Sequence, residues 1–159
     1  MDLEQYVLAN EPAIRLAFFL GVFAVIGLWE VVAPRRALTV SKALRWGSNL
    51  GLVVLNTLLL RLVFPLAAAG IAAFGVANGW GLLNHFQVPF WIAVPVAVIA
   101  MDFVIWLQHV MVHAVPALWR LHRVHHADLD YDVTTGARFH PIEIALSMLI
   151  KFATITVLG

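Results

Sequence analysis

The chain alternates long apolar runs with short polar ones. The first run, AIRLAFFLGVFAVIGLWEVVA from Ala13 to Ala33, is long enough for one helical crossing of a hydrocarbon core about 30 Å thick. Trp29 and Glu30 stand near its end, where interfacial residues are expected. The polar segment PRRALTVSKALRWGSN follows, with Arg35, Arg36, Lys42 and Arg45 and no acid. A second run extends from about Leu50 to Val76 and is interrupted by Arg61 and Pro65. It reads as one kinked span, with a hairpin that enters and leaves on one side as the alternative. A third run covers Val88 to Leu107, and a fourth begins after Pro141 and reaches Gly159. The pattern predicts an all-α fold, an integral membrane helical bundle of about four transmembrane helices.

Composition agrees with this reading. Hydrophobic residues make up 62% of the 159 positions and charged ones only 12%, with a mean hydropathy of +0.91. A soluble domain of this size carries about a quarter charged residues. The net charge of +1 gives no indication of a nucleic-acid partner. Cysteine is absent, which excludes disulfides, zinc–thiolate sites, iron–sulfur ligation and thiol nucleophiles. The start, MDLEQYVLANEP, is acidic where a cleavable signal would be basic.

The distribution of basic residues sets the expected orientation. The positive-inside rule places the Arg35–Arg45 loop in the cytoplasm. Two further crossings return the chain after Leu107 to the same side, together with Arg120, Arg123 and Arg138. The loop NGWGLLNHFQ then lies outside, so its His85 is not expected to be a ligand. A hairpin in the second run would reverse this arrangement.

The remaining chemistry is concentrated in one place. The stretch HVMVHAVPALWRLHRVHH, residues 109 to 126, holds five of the seven histidines. His109 and His113 are four apart, so on a helix running to Pro116 both rings share a face. His122, His125 and His126 recur at i, i+3 and i+4 and share a face again. Five imidazoles at a membrane surface are poor packing but good neutral metal ligands, suited to iron, zinc or copper. HVMVH lacks the glutamate of the zinc-protease motif. A membrane b-type haem would use two of the rings and leave three unexplained. A cluster richer in histidine than one ion needs points to two ions.

HVMVH resembles the first histidine box, HxxxH, of the fatty acid hydroxylase/sterol desaturase superfamily, and HRVHH resembles its second, HxxHH. The flanking DFVIWLQH and the downstream DYDVTTGARFHPIE are also similar to family segments, the latter through a Thr-rich turn leading to Arg, His-Pro and Glu. The resemblance covers roughly Val88 to Glu143. It implies a membrane-bound lipid oxygenase, with two iron ions (Fe2+/Fe3+) in a histidine-rich centre at the cytoplasmic face and O2 as co-substrate. Members hydroxylate or desaturate C–H bonds of a sterol, fatty acid or related lipid. The implied ligands are His109, His113, His122, His125 and His126, with His140 of the His-Pro segment as a further one. The resemblance also implies a membrane lipid substrate and an external electron donor, in a bacterial inner membrane or the endoplasmic reticulum.

Polar neighbours receive lesser roles. Asp102 precedes His109 by seven residues, on nearly the same helical face and about 10 Å away, which fits support of a ligand from behind, directly or through water, or a pairing with Arg61. Asp128, Asp130 and Asp132 read as solvated loop acids, one of which orients an imidazole as the alternative. Arg138 is expected to pair with one of them or with a lipid headgroup. Pro141 suits the first turn of the last helix, where Glu143 serves the positive end first and catalysis second.

Residues 1–87 are expected to form an N-terminal transmembrane region and residues 88–159 the start of a fatty acid hydroxylase-like domain. The family carries a third box of HxxHH type, and no histidine follows His140. The expectation is therefore an N-terminal fragment lacking that box and inactive alone. The alternative is a non-catalytic membrane paralogue that holds a single metal ion, and a bis-histidine haem carrier is a third class.

Overall fold

The computed structural model describes residues 3–65 and 68–159; Met1 and Asp2 of the acidic start, and residues 66–67 of the second apolar run, lie outside the described residues. Seven α-helices follow in order: α1 (Leu3–Val32), α2 (Lys42–Val63), α3 (Ala68–Asn78), α4 (Leu82–His85), α5 (Phe90–Ala114), α6 (Pro116–His126) and α7 (Pro141–Leu158). A short 3-10 turn covers Thr135–Ala137, and no strand occurs among the described residues. Four stretches are long and apolar enough to cross a membrane: Ala9–Val32, Lys42–His85, Phe90–Ala114 and Pro141–Leu158.

Burial is inverted relative to a soluble protein. Among the described residues Val112 is the one buried apolar side chain, whereas Arg45, Asn49, Asn56, His122 and Glu143 are all buried. Phe18, Leu62 and Trp91 point outward. In a bilayer the apolar surface costs nothing at its lipid contacts, while each polar group needs a partner inside the protein.

The second apolar run is a single interrupted crossing. Phe64 leaves the helix at φ −123° and ψ 78°, because the ring of Pro65 disfavours helical geometry in the residue before it. Contacts then progress along α7 in one direction. Asn56 donates to the Phe139 carbonyl (3.0 Å) just before α7, Phe64 packs edge-on against Phe152 midway (5.5 Å), and Gly81 meets the far end. At Gly81, with φ +94°, an added Cβ would collide with the backbone of Leu158 and Gly159. A hairpin would have brought Gly81 back beside Asn56. Helix α5 starts at this far end and delivers His109 and His113 to the end from which α2 and α7 depart.

A polar layer closes that end. Arg45, Asn49 and Asn56 recur at four- and seven-residue spacing and form a stripe on α2. They face the segment between α6 and α7. Arg45 grips Asp128 with two bonds, Nε to Oδ1 at 2.7 Å and Nη2 to Oδ2 at 2.9 Å, and its Nη1 lies 3.1 Å from Asp132. Asn49 is saturated: its amide donates to Asp128 (3.0 Å) and Thr134 (2.8 Å), and its carbonyl accepts from Arg138 (3.1 Å). Asp130 accepts from the Thr39 and Val40 backbone N–H groups at 2.9 and 2.8 Å. Asp132 accepts from the Trp46 indole at 2.9 Å, and Glu30 at the end of α1 accepts from Val133 N–H at 3.0 Å.

These contacts correct two expectations. The three aspartates are partners of α2 and of the segment before it; they neither stand as solvated acids nor contact an imidazole. Arg138 donates to Asn49 rather than to an aspartate.

Candidate metal centre

Helix α5 ends at Ala114 and α6 begins at Pro116. Proline at the first helical position needs no hydrogen-bond acceptor for its nitrogen, so the chain turns sharply and folds α6 back beside α5. The turn brings the histidine pair of α5 and the three histidines of α6 together. Ring centroids of His109 and His113 lie 4.7 Å apart, and each lies about equally close to His122, at 5.0 and 4.8 Å. His126 approaches His113 and His122, at 4.9 Å in each case. His125 sits 5.1 Å from His126 and 5.4 Å from His122. Ligand atoms of His109, His113 and His122 fall within 4.8 Å of one another.

Two of the rings are oriented from behind. The His125 Nδ1–H donates to the Thr135 carbonyl at 3.1 Å, and its ring stacks on Phe139 with planes 2° apart. A carbonyl only accepts, so the proton of a neutral His125 sits on Nδ1 and Nε2 carries the lone pair. His122 is fully buried, and its Nδ1 lies 2.6 Å from Glu143 Oε1. The carboxylate fixes the same tautomer there. His122 Nε2 then faces His126 Nε2 at 3.2 Å, close to the separation of two nitrogens sharing one ion at a bond length of about 2.0–2.1 Å.

Residues 94–159 match the family model described as fatty acid hydroxylase. The match covers less than half of the chain, takes in both histidine boxes, and agrees with the resemblance to the fatty acid hydroxylase/sterol desaturase superfamily. Comparison with curated proteins gives no significant match. Comparison with solved structures gives none either.

Two of the α6 rings are held neutral. Burial, reinforced by the neighbouring His113 and His125, pushes His122 down to about 4. Burial and the adjacent rings also lower His126. The His122–Glu143 contact is accordingly a hydrogen bond from a neutral ring rather than an ion pair. Unprotonated nitrogen is what a metal ion requires, so the donor set fits one.

The other sequence candidates lie apart from this core. His140 caps α7, its Nδ1 accepting from Ile142 N–H at 3.1 Å. In that state Nδ1 carries the lone pair and Nε2 the proton, the reverse of His122 and His125. Asp102 is exposed on α5, on the face of His109, and neither it nor Arg61 has a hydrogen bond or ion pair among the described residues. His85 lies on α4 at the opposite end of the bundle. Glu143 stands in the first turn of α7 as expected and in addition supports a ring of the cluster, while the capping acceptor is His140. Thr135 and Phe139 do the same for His125, a role the sequence analysis assigned to neither. A Thr and a Phe between the second box and the His-Pro are ordinary residues, and only the fold brings them under His125.

Proposed function

We propose that this chain contributes the metal-binding part of a membrane-bound di-iron lipid oxygenase, which hydroxylates or desaturates C–H bonds of a sterol, fatty acid or related lipid. The observation that carries the reading is the convergence of five imidazoles, two of them with Nδ1 engaged and Nε2 turned inward. His109, His113, His122, His125 and His126 would hold the ions, with His140 joining them once its ring rotates out of the capping bond. Bound iron would supply the activation of O2 that oxidation of an unactivated C–H bond requires. The chain's own residues set the conditions for it. Glu143 and Thr135 hold two rings in the ligating tautomer, burial keeps His122 unprotonated, and the apolar faces of α5 and α7 admit a membrane-dissolved substrate. An external donor would bring electrons to the face that also carries Arg120 and Arg123, which the positive-inside rule assigns to the cytoplasm.

A second reading has its own support. His109, His113 and His122 form a compact three-nitrogen group, the number a single zinc or iron takes from a protein at an open site. Metal content separates the two. The full chain in detergent, reconstituted anaerobically with Fe2+ and freed of excess, is expected to hold two iron atoms per chain. One tightly bound ion per chain, of iron or zinc alike, would replace the di-iron reading with the single-ion one.

A further inference from the structure

Behind the cluster, α5, α6 and α7 enclose a crevice of about 370 Å³, within the range of small-molecule sites, about 300–1,000 Å³. Its walls are almost wholly apolar, with Leu107 and Met111 from α5, Leu121 from α6, and Leu146 and Ile150 from α7. Two polar side chains also line it, Gln108 and Glu143. Glu143 is 5% exposed. Its Oε1 engages His122, but its Oε2 is buried without a partner, and so is Gln108 Oε1. Leaving such acceptors unmet is unfavourable, and lipid tails cannot satisfy them.

We propose that this crevice binds a single-chain, membrane-dissolved alcohol whose hydroxyl donates to Glu143 Oε2. One hydroxyl meets both orphaned groups. Its proton goes to the carboxylate, and its oxygen accepts from the Gln108 amide once that amide turns over, since its oxygen and nitrogen are nearly isosteric. The alkyl chain then lies against the leucine and isoleucine walls, where the gain is that of apolar burial. A fatty acid fits less well, because its carboxylate would face Glu143. The crevice meets His122 on its Nδ1 side, whereas Nε2 faces the other rings, so the bound alcohol is separated from the ion position by the His122–Glu143 pair. Its hydroxyl extends that hydrogen-bond chain by one member. The site stands on the apo protein and needs no metal.

The test is photolabelling of the full chain in saturated phosphatidylcholine nanodiscs, whose lipids bring no hydroxyl to the tail region. The probe is dodecanol carrying a mid-chain diazirine. Labels are expected on the peptides holding Leu107–Met111 and Leu146–Ile150, with dodecanol competing at least about tenfold better than its methyl ether. Leu146→Trp, which fills the crevice, is expected to abolish the label. Gln108→Leu is expected to keep it while shrinking the preference for alcohol over ether. Equal competition by alcohol and ether would overturn the proposal, since the acceptors would then be met by water. Equal competition by cholesterol would overturn the single-chain assignment. Labelling is read with and without prior chelator treatment, so iron analysis decides the metal reading separately.

Discussion

Removing the carboxylate behind His122 should weaken metal binding by one to two orders of magnitude. Glu143 Oε1 lies 2.6 Å from His122 Nδ1, and the ring is fully buried, so no water can replace the acceptor. Glu143→Leu leaves a buried N–H without a partner, at about 1–3 kcal/mol. It also frees the ring to rotate and to place its proton on either nitrogen. Loss of a partner that orients a metal-ligating histidine typically costs 10–100-fold in affinity, or about 1.4–2.8 kcal/mol at 1.4 kcal/mol per decade. The two estimates overlap, and the expected loss for Glu143→Leu is therefore about 10–100-fold. Glu143→Gln keeps a neutral acceptor and fixes the same tautomer, so its expected loss is about tenfold or less. The assay is a competitive chelator titration of Fe2+ or Zn2+ against the full chain in detergent, with helical circular dichroism as the check on folding. Ile142→Ala, on the exposed neighbour, serves as the control and is expected to bind as the parent does. A folded Glu143→Leu protein that binds within about twofold of the parent would refute the argument that Glu143 positions His122.

Replacing His122 or His113 by Ala should lower metal content, whereas His85→Ala should leave it unchanged, because His85 lies at the far end of the bundle; elemental analysis reads both. Breaking the buried pair with Asp128→Asn should destabilise the fold by about 3–5 kcal/mol, seen as a lower thermal midpoint. Acid should loosen the segment between α6 and α7. Burial raises the Asp132 carboxyl, but hydrogen bonds from Thr134 and Trp46 outweigh it and hold the group below its ordinary range. A depressed carboxyl stabilises fully above the unfolded value, about 3.9, and loses that contribution as pH falls through the folded one. Hydrogen-exchange protection across residues 127–140, corrected for the intrinsic pH dependence of exchange, should therefore fall below about pH 4 and stay flat from there to neutrality. Gly81→Ala should lower the thermal midpoint, because the new methyl meets the backbone of Leu158 and Gly159 at a positive φ.

Much of this was legible in the sequence, and the reason is periodicity. Apolar runs declare membrane helices, because a bilayer demands about 20 apolar residues in a row. Histidines at i, i+4 and i, i+3, i+4 declare shared faces. Pro116 declares the turn that sets the faces side by side. The break in the second run was legible from Pro65, although its direction was not, since a hairpin and a kinked span have the same hydropathy. Contacts with α7 decide it. The polar partners were less legible for a different reason. Arg45 reads as a loop charge under the positive-inside rule, and the three aspartates read as loop acids. Neither segment announces that the other neutralises it more than eighty residues away. A signal was nevertheless present: Arg45, Asn49 and Asn56 repeat at helical spacing inside an otherwise apolar run, and a polar stripe on a membrane helix has to face protein.

The same logic explains why support for the cluster comes from where it does. Rings on α5 and α6 are placed by short-range geometry, since one proline joins the two helices. Their tautomers are set by long-range packing, through Glu143 on α7 and Thr135 in the segment that Arg45, Asn49 and Trp46 pin to α2. Loss of the Arg45–Asp128 grip should thus reach His125 without touching it, by letting the Thr135 carbonyl move. Arrangement of the donors and control of their protons therefore reside in different parts of the chain. Metal affinity should fall with substitutions on α2 even though α2 supplies no ligand, and it should fall through His125 while the His122–Glu143 bond stays intact. Comparing Asp128→Asn with Glu143→Leu, singly and together, separates the two supports: independent losses add, whereas a shared route would make the second substitution nearly silent.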